Sequence, residues 1–201
     1  MDIPTLLGIA VSIFAIMDPP AAVPTIVSYL GSDLGPGSGR TLQDVVRAVN
    51  RAGAAILILL TIFSLAGEYV LRLFNVSLES LRVAGGVLLM VLAIDMLRTR
   101  ERLGEVRGGD FAIVPIATPL IVGPGTMSTL IVYSRIYGPV ATLIGAYVAF
   151  AMTYPILRYS YVVFKYLGTS TLQGLGKFMS IIVASIAVEL AVSGLRGLGI
   201  L

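Results

Sequence analysis

The chain contains no histidine and no cysteine, and charged residues fill only 12% of its 201 positions. Each scarcity removes a class of chemistry. Without His or Cys there are no usual zinc ligands, no thiol nucleophile, no disulfide and no Ser-His or Cys-His catalytic pairing, so metal-hydrolase and triad enzymes are excluded. No catalytic residue, metal site or cofactor is expected. What remains is 57% hydrophobic with mean hydropathy +0.95, values of a membrane protein rather than a soluble domain of this length. The formal charge of +3 reflects Arg in membrane-flanking loops and carries no sign of nucleic-acid binding. Met1-Asp2-Ile3-Pro4 lacks a positive n-region and the apolar stretch after it is too long for a cleavable signal, so it is expected to stay as the first span.

A membrane span needs about 20 mostly apolar residues. On that basis six spans are predicted, at roughly 4–30, 45–72, 78–98, 111–136, 139–165 and 174–198, an all-α membrane protein of one domain. The second is the least regular, because Arg47, Arg51, Glu68 and Arg72 must snorkel to the interfaces. Positive charge gives an orientation. The first, third and fifth connections carry Arg40, Arg47 and Arg51, then Arg98, Arg100, Arg102 and Arg107, then Arg158, Lys165 and Lys177; the opposite side holds only Arg72, Arg82, Arg135 and Arg196. The positive-inside bias then places both termini outside the cytoplasm.

The stretches 31–39 and 98–110 read as cytoplasmic loops, and the second divides the chain into halves of about 1–98 and 111–201. Three spans per half is an odd number, so any internal repeat must be inverted. Traces of one exist. Asp18-Pro19 and Gly123-Pro124 are followed at matching distance by Thr25-Ile26-Val27 and Leu130-Ile131-Val132, and Ala93 to Leu97 resembles Ala187 to Ala191.

The first and fourth spans each contain a helix interruption. In the first, Pro19 and Pro20 lack the N–H and clash with carbonyls one turn back, so a helix is predicted to stop near Met17. Asp18 is a favoured N-cap and Pro a favoured first helical residue, so a second half-helix is predicted from there through Ala21, Ala22 and Pro24 to about Leu30. In the fourth, Pro115 and Pro119 bend the approach and Gly123-Pro124-Gly125 turns the chain before Thr126. Broken helices at matching depths are tolerated in lipid only where protein or a watery cavity satisfies the freed backbone groups.

The new N-termini carry about half a unit of positive charge and favour anions, while the carbonyl ends before them favour cations. A small zwitterion fits both. Its carboxylate is expected at the amides of Ala21-Ala22 or Gly125-Thr126-Met127, and its ammonium or a coupling cation at the carbonyls of Ile16-Met17 or Ile121-Val122. Asp18 has two readings, a buried structural N-cap or a cation or proton site. Glu189 and Asp95 are further intramembrane acids that could bind a proton or cation, against structural roles in packing or at the interface. Among Thr118, Thr126, Ser128 and Thr129, the expected ligand hydroxyl is that of Thr126, since such groups usually bond to their own helix. Gly85-Gly86, and Gly176 with Ser180 and Ala184, mark close helix packing.

Phe14 to Pro20 with Pro24, then Phe74-Asn75-Val76-Ser77-Leu78 leading to Leu81-Arg82-Val83-Ala84-Gly85-Gly86, then Pro119-Leu120 with Gly123-Pro124-Gly125, resemble the MarC family of six-span inner-membrane proteins over the whole length. The family often has glycine just after the first proline of the first break, where this chain has Ala21 and Ala22. The resemblance to its SnatA-type members implies transport of small neutral amino acids such as glycine and alanine, driven by a sodium or proton gradient. A passive channel or export facilitator is the alternative. The partners expected are an amino acid and the lipid bilayer, and no soluble macromolecule.

Overall fold

In the computed structural model, which describes residues 2–31, 42–98 and 121–201, the apolar runs form seven helices and no strand among the described residues. They are α1 (Ile3–Met17), α2 (Pro19–Gly31), α3 (Leu42–Leu73), α4 (Leu78–Arg98), α5 (Pro124–Tyr137), α6 (Pro139–Arg158) and α7 (Ser160–Gly197). Among the described residues five stretches are long and apolar enough to cross a membrane: Ile3–Pro24, Val46–Gly67, Leu78–Leu97, Pro139–Arg158 and Ser160–Gly197. α5 has 14 residues, about 21 Å of helix. That is short of a bilayer, and the predicted approach to it, 111–120 with Pro115, Thr118 and Pro119, lies outside the described residues, as does nearly all of the predicted loops.

The turn between α3 and α4 shows how local chemistry sets the ends. Asn75 adopts the left-handed conformation (φ 53°), its N–H donates to the Arg72 carbonyl at 3.2 Å and the Val76 N–H to Leu71 at 3.0 Å. This is the Schellman closure that Asn can adopt at low cost. Ser77 then caps α4, accepting the Ser80 N–H at 3.1 Å.

The fifth and sixth spans depart from expectation. The predicted span 139–165 ends at Arg158, after 20 residues that already cover the hydrocarbon thickness. The chain bends at Tyr159 (φ −102°, ψ 25°), and α7 starts at Ser160 rather than 174 and contains a kink at Gly168 (φ 70°, ψ 168°). Residues 160–167 are thus a separate short helix with Tyr161, Lys165 and Tyr166 exposed, the composition of a segment lying at a membrane surface. Gly168 occupies a region open essentially to glycine alone. Gly168→Ala, with nothing within 4 Å to obstruct its methyl, is expected to destabilise by about 1–3 kcal/mol through backbone strain, measured by thermal unfolding in detergent; an unchanged midpoint would show that the kink relaxes freely.

Two apolar clusters hold the helices. One contains Ile13 and Met17 of α1, Ile56 and Leu60 of α3, Ile121, Val122, Leu130 and Ala149; the other joins Ile16, Leu89, Val132, Val183 and Ala187. Tyr133 of α5 packs on both. α3 lies against α5 and α6, α4 against α5 and α7, α1 against α6, and α2 against α7. α3 and α6 are also tied by hydrogen bonds. Tyr154 donates to Asn50 Oδ1 at 2.7 Å, Arg158 to the same oxygen at 3.1 Å, and the hydroxyls of Thr61 and Tyr147 meet at 2.8 Å.

Candidate functional site

At the first interruption α1 ends on Asp18, in the left-handed conformation (φ 41°, ψ 61°), whose N–H donates to the Phe14 carbonyl at 3.2 Å. Pro19 and Pro20 cannot supply the donors that the Ala15 and Ile16 carbonyls would receive in a continuous helix. The Ala21 N–H, which would serve Met17, instead reaches the Asp18 carbonyl at 3.1 Å. Three carbonyls of the last turn therefore lose their helical donors, which makes this end a site for positive charge.

The Asp18 side chain stands at the start of α2 without closing a full N-cap bond. It is 6% exposed, and neither carboxylate oxygen has a hydrogen-bond partner. A left-handed residue closes the preceding helix, yet the Ala21 N–H, the third amide of α2, still acts on its carboxylate. It points to α7, where a Cβ built on Gly176 would lie 4.0 Å from Oδ2 and 4.0 Å from the Ala21 methyl. α7 thus approaches Ala21 and the carboxylate at Gly176, at distances that a methyl group would also fit.

The start of α5 has the opposite character. Gly123 is extended (φ −84°, ψ −179°), Pro124 opens α5, and the Met127 N–H donates to the Gly123 carbonyl at 3.0 Å. The Gly125 and Thr126 amides stand in the first turn, where a helix offers them no acceptor. The Thr126 hydroxyl, expected to meet a ligand, donates to the Ile121 carbonyl at 3.1 Å, and that of Thr129 to Gly125 at 2.9 Å. One carbonyl before α5 is thereby satisfied, while the first-turn amides have no acceptor within the helix, a polarity that favours an anion.

The two interruptions stand together. A Cβ on Gly125 would lie 3.9 Å from Ile16 Cγ2 and would collide with Leu89 Cδ2, and Met17, Ile121 and Val122 share one cluster. Pro19, Pro20, Ala22 and Thr126 are buried and Ala21 is exposed. Asp95 and Glu189 are not part of this group: both are exposed, on α4 and α7, and Glu189 acts electrostatically on Tyr133. Hydropathy marks depth but not the face of a helix, and the face is what separates them from Asp18. Gly85 faces Ser128 and Gly86 faces Ala187 and Ala191, as close packing requires. Among the described residues no cluster of acids suits a metal ion.

The model of the MarC family, integral membrane proteins, matches residues 3–199. The chain belongs to the MarC family. It is therefore an integral membrane protein, and its MarC relatives include a UPF0056 membrane protein of Methanocaldococcus jannaschii, 29% identical over 198 residues that cover 92% of this chain and 93% of the relative. The UPF0056 membrane proteins YhcE of Escherichia coli and YvbG of Bacillus subtilis are each 24% identical, covering 98% and 96% of this chain and 94% and 95% of their own. No solved structure matches this MarC chain. The Asn75 turn and the glycines of α4, on which the family resemblance rests, are turn and packing devices. Asp18-Pro19-Pro20 and Gly123-Pro124-Gly125 are the parts where helix ends leave backbone groups without helical partners.

Proposed function

We propose that this MarC-family protein is a cation-coupled secondary transporter of small neutral amino acids, glycine and alanine among them, working by alternating access in the cell's inner membrane with both termini outside. One observation carries the reading. A carbonyl end with the buried Asp18 carboxylate, which makes no close hydrogen bond, packs through Ile16 on the first turn of α5, whose amides have no acceptor within their own helix, so the two opposite partial charges of a zwitterion have complementary places. The substrate ammonium, or a sodium ion or proton in exchange with it, binds at Asp18, and the carboxylate binds at Gly125-Thr126.

The packing supports an inverted repeat of two three-span halves. Exchanging the halves converts the contact of α3 with α5 into that of α6 with the first span, and the contact of α2 with α7 into that of α5 with α4. α3 with α6, and α4 with α7, are their own counterparts. The broken spans thus lie between two paired supports, a geometry suited to opening the site to one side at a time. Leu89, fully buried against Gly125, is the side chain that must move to uncover the second break.

The test is uptake of labelled glycine or alanine into proteoliposomes with and without sodium and proton gradients. Accumulation at least about tenfold above the outside concentration is expected with the coupling gradient, and its loss when the gradient is collapsed. Flux that only follows the solute's own gradient would establish the passive facilitator instead, and absence of uptake, counterflow and binding would reject transport of amino acids.

A further inference from the structure

We propose that Ser64 and Thr153 are the two side-chain hydroxyls that bind the transported solute, Ser64 at the second break and Thr153 at the first; the inference rests on the transporter reading. Helical Ser and Thr in apolar surroundings ordinarily give their proton to the carbonyl one turn back. This chain follows that habit at Thr61 (to Leu57, 2.7 Å), Thr129 (to Gly125, 2.9 Å), Thr142 (to Gly138, 3.0 Å) and Ser185 (to Ile181, 2.9 Å). Ser64 and Thr153 break it. Both are 0% exposed; Ser64 Oγ has no hydrogen-bond partner, and the Thr153 hydroxyl donates to Met17 Sδ at 3.6 Å, a weak acceptor. A carbonyl is within each helix's own reach, so neither hydroxyl is turned away for want of an internal partner.

Their places correspond. Ser64 lies on the buried stripe of α3 with Ile56 and Leu60, which belong to the cluster holding Ile121 and Val122, and with Gly67, which packs on Ile131 of α5. Thr153 lies on α6 against the residue immediately before Asp18. α3 and α6 are the second spans of the two halves, so each half offers the first span of the other one buried hydroxyl that is not bonded to its own helix. The chemistry differs at the two ends. On the face of α3 that packs on α5, Ser64 donates its proton to a substrate carboxylate oxygen; on α6 against Met17, Thr153 accepts from the ammonium through its lone pairs while its own O–H stays hydrogen-bonded to the Met17 sulfur. Neither assignment changes a covalent bond.

Four variants decide it, assayed with labelled alanine in proteoliposomes. Ser64→Ala and Thr153→Val remove the hydroxyl at nearly constant volume, whereas Ser64→Thr and Thr153→Ser keep it. The expected result is a KM raised about tenfold or more by Ser64→Ala and by Thr153→Val, with the saturated rate within about threefold, and a KM within about threefold of wild type for the hydroxyl-retaining pair. Wild-type KM in Ser64→Ala and Thr153→Val overturns the inference, and so does an equal rise in the variants that keep the hydroxyl, which marks a packing role. If the wild-type protein moves alanine while those results appear, only the hydroxyl assignment fails; if it neither moves nor binds any amino acid, the transporter reading fails and takes this one with it.

Discussion

Replacing Asp18 with Asn is expected to lower gradient-driven accumulation of alanine at least about tenfold while leaving the protein as stable as wild type, or more stable by roughly 1 kcal/mol. The two expectations come from the same fact. A carboxylate that is 6% exposed and makes no close hydrogen bond costs free energy that the fold does not fully recover, and its neutral isostere relieves part of that cost. Asn is the substitution of choice because Asp18 sits at φ 41°, a conformation Asn adopts about as readily as Asp. Ala at that position would add backbone strain of about 1 kcal/mol or more and would mix two effects. Thermal unfolding in detergent, beside uptake driven by sodium and proton gradients, separates stability from transport. If the Asp18→Asn variant accumulates alanine like wild type, the carboxylate is a structural burden and the cation end of the proposed site is removed.

Proline chemistry is local, and for that reason the first interruption is legible in the sequence: without N–H groups on Pro19 and Pro20, no arrangement of neighbours restores a regular helix through Asp18. The role of Asp18 is not legible. Whether an Asp before Pro opens the following helix or closes the preceding one depends on a single backbone rotation, and the surrounding packing settles it here as a left-handed close. The end of the fifth span escapes the sequence for a different reason. Residues 159–167 are rich in Tyr, Val and Phe, and mean hydropathy does not distinguish a segment crossing the membrane from one lying at its surface. The Thr126 hydroxyl stands at the second break, yet it is spent on the Ile121 carbonyl. Ser64 and Thr153 carry no motif. The available signal is a lone hydroxyl on an otherwise apolar stripe, which acquires meaning only when its neighbours and its unused carbonyl are known.

Gly86→Val is expected to cost about 3 kcal/mol and to deplete folded protein, because the approach of α4 to α7 is made by backbone. A Cβ at Gly86 would lie 2.6 Å from the Ala187 carbonyl oxygen and 2.8 Å from the Ala191 nitrogen. Neither atom can rotate aside as a side chain can, so the helices must separate and surrender contacts along their length, including Leu89 and Ala93 against Val183 and Ala187. Gly194 repeats the arrangement toward the other end of the pair, its Cβ position 2.7 Å from the Glu79 carbonyl oxygen and 2.9 Å from the Val83 nitrogen. In a membrane such backbone proximity is a main source of helix association, since lipid offers apolar side chains as good an environment as protein does. Gly174 is the control: it is exposed and nothing lies within 4 Å of its Cβ position, so Gly174→Ala should be neutral or stabilise by up to about 1 kcal/mol through helix propensity. Comparing folded yield and unfolding midpoint for the two variants isolates the contact from the general effect of losing a glycine. Should Gly86→Val fold and melt like Gly174→Ala, α4 and α7 do not meet at their backbones. The firm support beside the second break, against which Leu89 covers Gly125, would then be lost from the proposed mechanism.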